Sequence, residues 1–67
     1  MTLSDLEKDK PPTITVLQAA EIMSVTPQFL RLAIMEGRFP FGVGVKMEQN
    51  AFYINTVRFI KYMRGEI

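Results

Sequence analysis

Thr15-Val16-Leu17-Gln18-Ala19-Ala20-Glu21-Ile22-Met23-Ser24-Val25-Thr26-Pro27-Gln28-Phe29-Leu30-Arg31 is the stretch on which the reading of this chain turns. Thr15 followed by Gln18 has the spacing of a capping box, in which each side chain satisfies the other residue's free backbone N–H. Val16, Ala19, Ala20 and Met23 then recur at i, i+3, i+4 and i+7, one apolar face of a helix. Ala19 and Ala20 are small enough to let a second helix cross closely. Ser24-Val25 is expected to form the turn, with Val25 directed into the core. Thr26-Pro27 begins the next helix, with Thr as N-cap and Pro at the first helical position, where its missing N–H costs nothing. One short helix, a tight turn and a second capped helix have the spacing of a helix-turn-helix.

Working outward, Phe29, Leu30, Ala33 and Ile34 are expected on the buried face of the second helix, with Gln28, Arg31, Leu32 and Met35 outward. Gly37 suits the left-handed residue that ends many helices, and Pro40 prevents continuation. The period then changes. Phe41, Val43, Val45 and Met47 alternate with Gly42, Gly44 and Lys46, which predicts a strand. Glu48 to Ala51 is expected to turn, and Phe52-Tyr53-Ile54 to return, so that a β-hairpin follows the helix pair in the position of a wing. Asn55 can cap a last helix running to about Arg64, with Phe59, Ile60 and Met63 inward, Arg58, Lys61 and Tyr62 on the other side, and Gly65 as terminator. The expectation is an α+β fold, a small winged helix-turn-helix of order α-α-β-β-α in residues 13–67. Residues 1–12 are polar and end in Pro11-Pro12; they are expected to form a flexible arm.

Composition narrows the function. A chain of 67 residues with 48% apolar and 22% charged residues is one small globular domain. It contains no cysteine and no histidine, so disulfides, thiolate or imidazole metal ligands and the commonest general base are all missing. Its seven acids are scattered and suggest no carboxylate pair, so neither enzyme activity, nor a cofactor, nor a metal is expected. No apolar run approaches the ~18 residues that cross a bilayer. The opening residues lack the apolar core of a signal peptide, and a cytoplasmic location in a bacterial host is expected. Net charge is +1 overall; residues 1–12 carry −1 and residues 13–67 carry +2, a thin basic footprint.

The segment TVLQAAEIMSVTPQFLRLAIMEGRFP resembles the MerR-like winged helix of excisionase-type proteins. Those read as a capping Thr, a first helix and turn of AAE, two apolar residues, Gly, Val and Ser, a recognition helix, and then EGR, an apolar residue and Pro leading into the wing. Ala19-Ala20-Glu21-Ile22-Met23 and Glu36-Gly37-Arg38-Phe39-Pro40 stand in those places. Pro40 to Lys46, with Tyr53-Ile54-Asn55, is similar to the variant found in small proteins of Gram-positive phages and integrative elements. Residues 13–64 are covered. Ser24 departs from the usual turn Gly. Leu32 and Met35 stand where relatives place basic or polar side chains.

The resemblance implies an accessory factor that binds double-stranded DNA, bends it and recruits an integrase or other recombinase toward excision, or a small transcriptional regulator of the same architecture. With the second helix in a major groove, Gln28 can bond bidentately to adenine and Arg31 to guanine, while Thr26 can meet phosphate. Lys46, Gln49 and Asn50 in the hairpin, and Arg38 on the flank, are the further candidate DNA contacts. Leu32 and Met35 mark a candidate protein contact, either another copy or a different protein, unless Leu32 packs under the hairpin. The alternative to a DNA reader is a protein-interaction module, or a phage packaging or head-completion component, that reuses the same fold.

Overall fold

A side-chain cap starts each of the helices. The computed structural model describes residues 2–67; Met1, the first residue of the expected arm, lies outside them. The fold is α+β, with four helices and a three-stranded antiparallel sheet: α1 (Leu3–Asp9), β1 (Thr13–Ile14), α2 (Val16–Met23), α3 (Pro27–Met35), β2 (Gly42–Val45), β3 (Ala51–Asn55) and α4 (Thr56–Met63). The capping box at Thr15 is present: Gln18 N–H donates to Thr15 Oγ1 (3.1 Å) and Thr15 N–H to Gln18 Oε1 (3.0 Å). Thr26 caps α3 by accepting from Phe29 N–H (3.1 Å), and Asn55 caps α4 by accepting from Arg58 N–H (3.0 Å), both without a reciprocal bond.

The segment expected as a flexible arm is instead helical. Asp5 N–H donates to Thr2 Oγ1 (3.2 Å) and Thr2 N–H to Asp5 Oδ2 (3.0 Å), a second capping box with Asp in place of Glu or Gln. Leu6 is 0% exposed, with Leu3 packed at the core's edge, and α1 lies against α4. Glu7 forms an ion pair with Arg64, the C-cap of α4. Lys10 ends α1 in the left-handed region (φ 43°) directly before the two prolines. The physical reason for the correction is that two leucines three apart suffice to dock a two-turn helix when its start is capped.

After Pro12 the chain adds the short β1, which also lies within the expected domain but had no separate strand signal. It pairs with β3 (Thr13 opposite Asn55, Ile14 opposite Ile54), so β3 is central and the sheet order is β1-β3-β2. The hairpin sets Gly42, Val43, Gly44 and Val45 opposite Ile54, Tyr53, Phe52 and Ala51. β2 is thus shorter at both ends than the alternation from Phe41 to Met47 predicts, β3 extends beyond Phe52-Tyr53-Ile54 at both ends, and the loop is Lys46 to Asn50. The glycines face inward and the valines outward. A Cβ at Gly44 would overlap Met35 Sδ and come within 3.2 Å of Phe52 Cε1, so a bare backbone is what lets β2 lie on α3.

Below the sheet, Leu6, Ile14, Ala19, Ala20, Leu30, Ile34, Phe41, Ile54 and Phe59 form one buried cluster. Phe41 is its hub: its ring stacks on Phe39 (centroids 5.0 Å apart) and meets Phe59 (5.0 Å) and Tyr62 (5.2 Å) edge-on. Tyr62 therefore packs inward rather than sharing the outer face of α4 with Arg58 and Lys61, because an aromatic at the last turn reaches across to Phe39 and Phe41. Phe29, expected in the core, is 53% exposed, while Leu30 and Ile34 are the residues of α3 that are fully buried. Among the described residues no helix is long and apolar enough to cross a membrane.

Leu6→Ala should cost about 2–5 kcal/mol, the range for a buried leucine truncated without collapse of its site. A urea midpoint that drops with an unchanged m-value is the expected result, and an unshifted midpoint would mean that α1 does not stabilise the domain. The Thr2 backbone N–H, and then its hydroxyl, hold the Asp5 carboxyl below its ordinary value. Its folded value is depressed, so this cap stabilises α1 above about pH 4 and loses that contribution as pH falls through the folded value. Amide protection in the first turn of α1 should decline on acidification in the native chain and be insensitive to it in Asp5→Asn.

Candidate nucleic-acid interface

The turn between α2 and α3 is what presents α3 to the outside. Ser24 adopts φ 59° and ψ 40°, the backbone that glycine takes at this kind of helix end. Its N–H reaches Ala20 O and Glu21 O, and Val25 N–H follows to Ala20 O (3.0 Å). The missing glycine therefore leaves the turn's course unchanged, and serine bears the strain of a left-handed residue with a Cβ. Val25 packs at the edge of the core, as the sequence suggests. At the other end of α3, Gly37 (φ 71°) and the bond from Arg38 N–H to Ala33 O (2.9 Å) stop the helix and turn the chain toward Phe39 and Phe41.

Along α3, Leu30 and Ile34 face the core, so Gln28, Arg31 and Leu32 are exposed on the opposite side. These three line a shallow depression with Met35, and its far wall comes from the hairpin, through Asn50 and Phe52. The structure thus brings together four of the candidate residues on α3 and one from the hairpin loop. Met35 is only partly exposed because its thioether lies against Gly44. The residue that packs under the hairpin is Met35; Leu32 remains 56% exposed.

The remaining candidates are dispersed. Thr26 Oγ1 accepts the cap bond from Phe29 N–H, which leaves only the hydroxyl hydrogen and the first turn's other N–H groups to meet an anion. Lys46 and Gln49 are exposed in the hairpin loop, outside the wall that Asn50 contributes. Arg38 is on the far flank of α3. Its guanidinium pairs with Glu36 through Nε (3.3 Å) and a terminal nitrogen (3.2 Å), so its charge is largely offset locally. Arg64 is paired with Glu7. Arg31 forms no ion pair among the described residues. Arg31 on α3 and Lys46 in the hairpin loop are therefore the cations these two elements carry without an ion pair among the described residues, with the exposed Glu48 two residues from Lys46.

Arg31, Asn50 and Phe52 also border a second depression, whose opposite rim is Thr13, Thr15, Leu17 and Tyr53. The two hollows meet at Arg31 and Asn50, giving a concave surface that runs from the start of α2 across the sheet to α3. Thr13 and Tyr53 enter it because β1 pairs with β3, a contact between distant segments that leaves no local sequence signal. Leu17 was visible as an apolar residue off the Val16–Ala19–Ala20 face. No grouping of acidic, His or Cys side chains able to hold a metal ion occurs among the described residues. No protein-family profile, curated protein or solved structure matches the chain.

Because Ser24 occupies a glycine conformation, Ser24→Gly should raise stability by about 1 kcal/mol without altering the surface of α3. Denaturant unfolding measures this, and a loss of stability would show that the serine side chain supports the turn.

Proposed function

We propose that this chain is a winged helix-turn-helix DNA-binding protein without catalytic activity, an excisionase-like accessory factor or small transcriptional regulator of a phage or integrative element. In this reading α3 lies in a major groove, the β2–β3 hairpin acts as the wing, and double-stranded DNA is the partner, with an integrase or a second copy beside it. The observation that carries the reading is the shared hollow, where Gln28 and Arg31 from α3 face Asn50 from the hairpin. Gln and Arg are the side chains that address adenine and guanine edges bidentately, and both sit in the first turns of a helix whose N-terminus favours phosphate. The resemblance of residues 13–64 to the MerR-like excisionase family supports the same assignment.

The thin charge sets the expected energetics. With Arg38 and Arg64 tied to Glu36 and Glu7, few cations per protomer displace counterions. Affinity should therefore fall with salt along a shallow slope, on the order of −2 to −4 in the logarithm of the association constant against log salt per protomer. Fluorescence anisotropy with duplex DNA at low salt tests the reading, and absence of binding there would end it. Arg31→Ala should cost about 1–3 kcal/mol and relax selectivity at a guanine, whereas Lys46→Ala should weaken all sequences alike.

A second reading has its own observation. Phe29 and Leu32 are both more than half exposed and border a largely apolar furrow with Ala33 and Phe39 on the flank of α3, with the Glu36–Arg38 ion pair on its wall. A protein-interaction module, including a phage packaging or structural component, would use that furrow. Phe29→Ser would then abolish association while leaving any DNA affinity intact, and sedimentation of the two proteins discriminates the cases.

A further inference from the structure

Leu32 is the most exposed apolar residue of the α3 hollow, and hydrogen-bonded base reading does not use it. It follows Gln28 by one helical turn, adjoins Arg31, and is 56% exposed. The hollow combines two kinds of wall: Gln28, Arg31 and Asn50 offer donors and acceptors, while Leu32, Met35 and Phe52 are apolar. A purely apolar seam between proteins would leave the Arg31 guanidinium unpaired inside it, at a large desolvation cost. The edge of a base-paired duplex fits both walls. In the major groove every base pair presents hydrogen-bonding groups, and one base carries an apolar substituent, the 5-methyl group of thymine.

We propose, on the basis of the DNA-binding reading above, that Leu32 is a specificity-determining residue that takes up the thymine 5-methyl group beside the base edges met by Gln28 and Arg31. One helical turn advances ~5.4 Å, against ~3.4 Å per base-pair step, so the thymine lies one or two steps from the base that Gln28 addresses. Met35 cannot substitute for Leu32, because its thioether is held against Gly44. Cytosine and uracil carry only hydrogen at the same ring position, so both are disfavoured there.

The test begins with selection of a tight duplex from random-sequence DNA at low salt. That duplex is then prepared with deoxyuridine in place of thymidine at one position at a time, and binding is measured for the full chain and for Leu32→Ala. For the native chain, one position should weaken binding about fourfold, the effect of a single buried methyl group. Leu32→Ala should bind the thymine and uracil forms equally while remaining folded. A native chain indifferent to every uracil replacement overturns the assignment and leaves the DNA-binding reading standing. A thymine preference that persists in Leu32→Ala also overturns it. Failure to select any duplex at low salt removes the DNA-binding reading and this inference with it.

Discussion

The packing of the Phe41 ring is the constraint on which the rest of the structure depends. Phe41 sits between the stop of α3 and the start of β2, and its fully buried ring touches Phe39, Phe59 and Tyr62. It therefore ties the exit of α3 and the root of the hairpin to α4 at one point. Asn55 N–H donates to Phe41 O (3.0 Å), so the backbone of the same residue also fixes where β3 ends and α4 begins. In a chain this short a single aromatic hub supplies much of the cohesion that larger domains spread over several layers. The orientation of α3 relative to the hairpin, and hence the hollow between them, follows from that hub.

Local chemistry was legible in the sequence and distant pairing was not. Thr15 with Gln18, Thr26 with Pro27, and Asn55 each mark a helix start through interactions within three residues, and each is found as read. Gly37 and Gly65 likewise end their helices in the left-handed region. The N-terminal helix was obscured because Pro11-Pro12 and the mixed charges look like a tether, while its docking depends on Leu6 meeting α4, some fifty residues on. The same holds for β1, which exists only through its pairing with β3. Phe29 and Tyr62 exchange expected roles for a related reason. Helical period says which residues share a face, but only the neighbours decide how wide the buried sector is.

The candidate surface divides along the same line. That Gln28, Arg31, Leu32 and Met35 share one stripe of α3 could be read from spacing alone. That Asn50 closes the hollow while Lys46 and Gln49 stay outside it depends on where the five-residue loop places each side chain. Arg38 looked equivalent to Arg31 as a sequence feature. Its pairing with Glu36, two residues away, separates them and concentrates the unpaired charge of this face on α3 and the loop.

The contact between Gly44 and Met35 gives the surface a mechanical property. β2 rests on α3 through a strand position with no side chain and a thioether with three rotatable bonds, where most folds interlock branched residues. The hairpin is held close to α3 at two positions without side chains, Gly42 over the buried Ile34 and Gly44 over Met35. A side chain added at Gly44 would have to displace the thioether or lift the strand, and a lifted strand would widen the hollow.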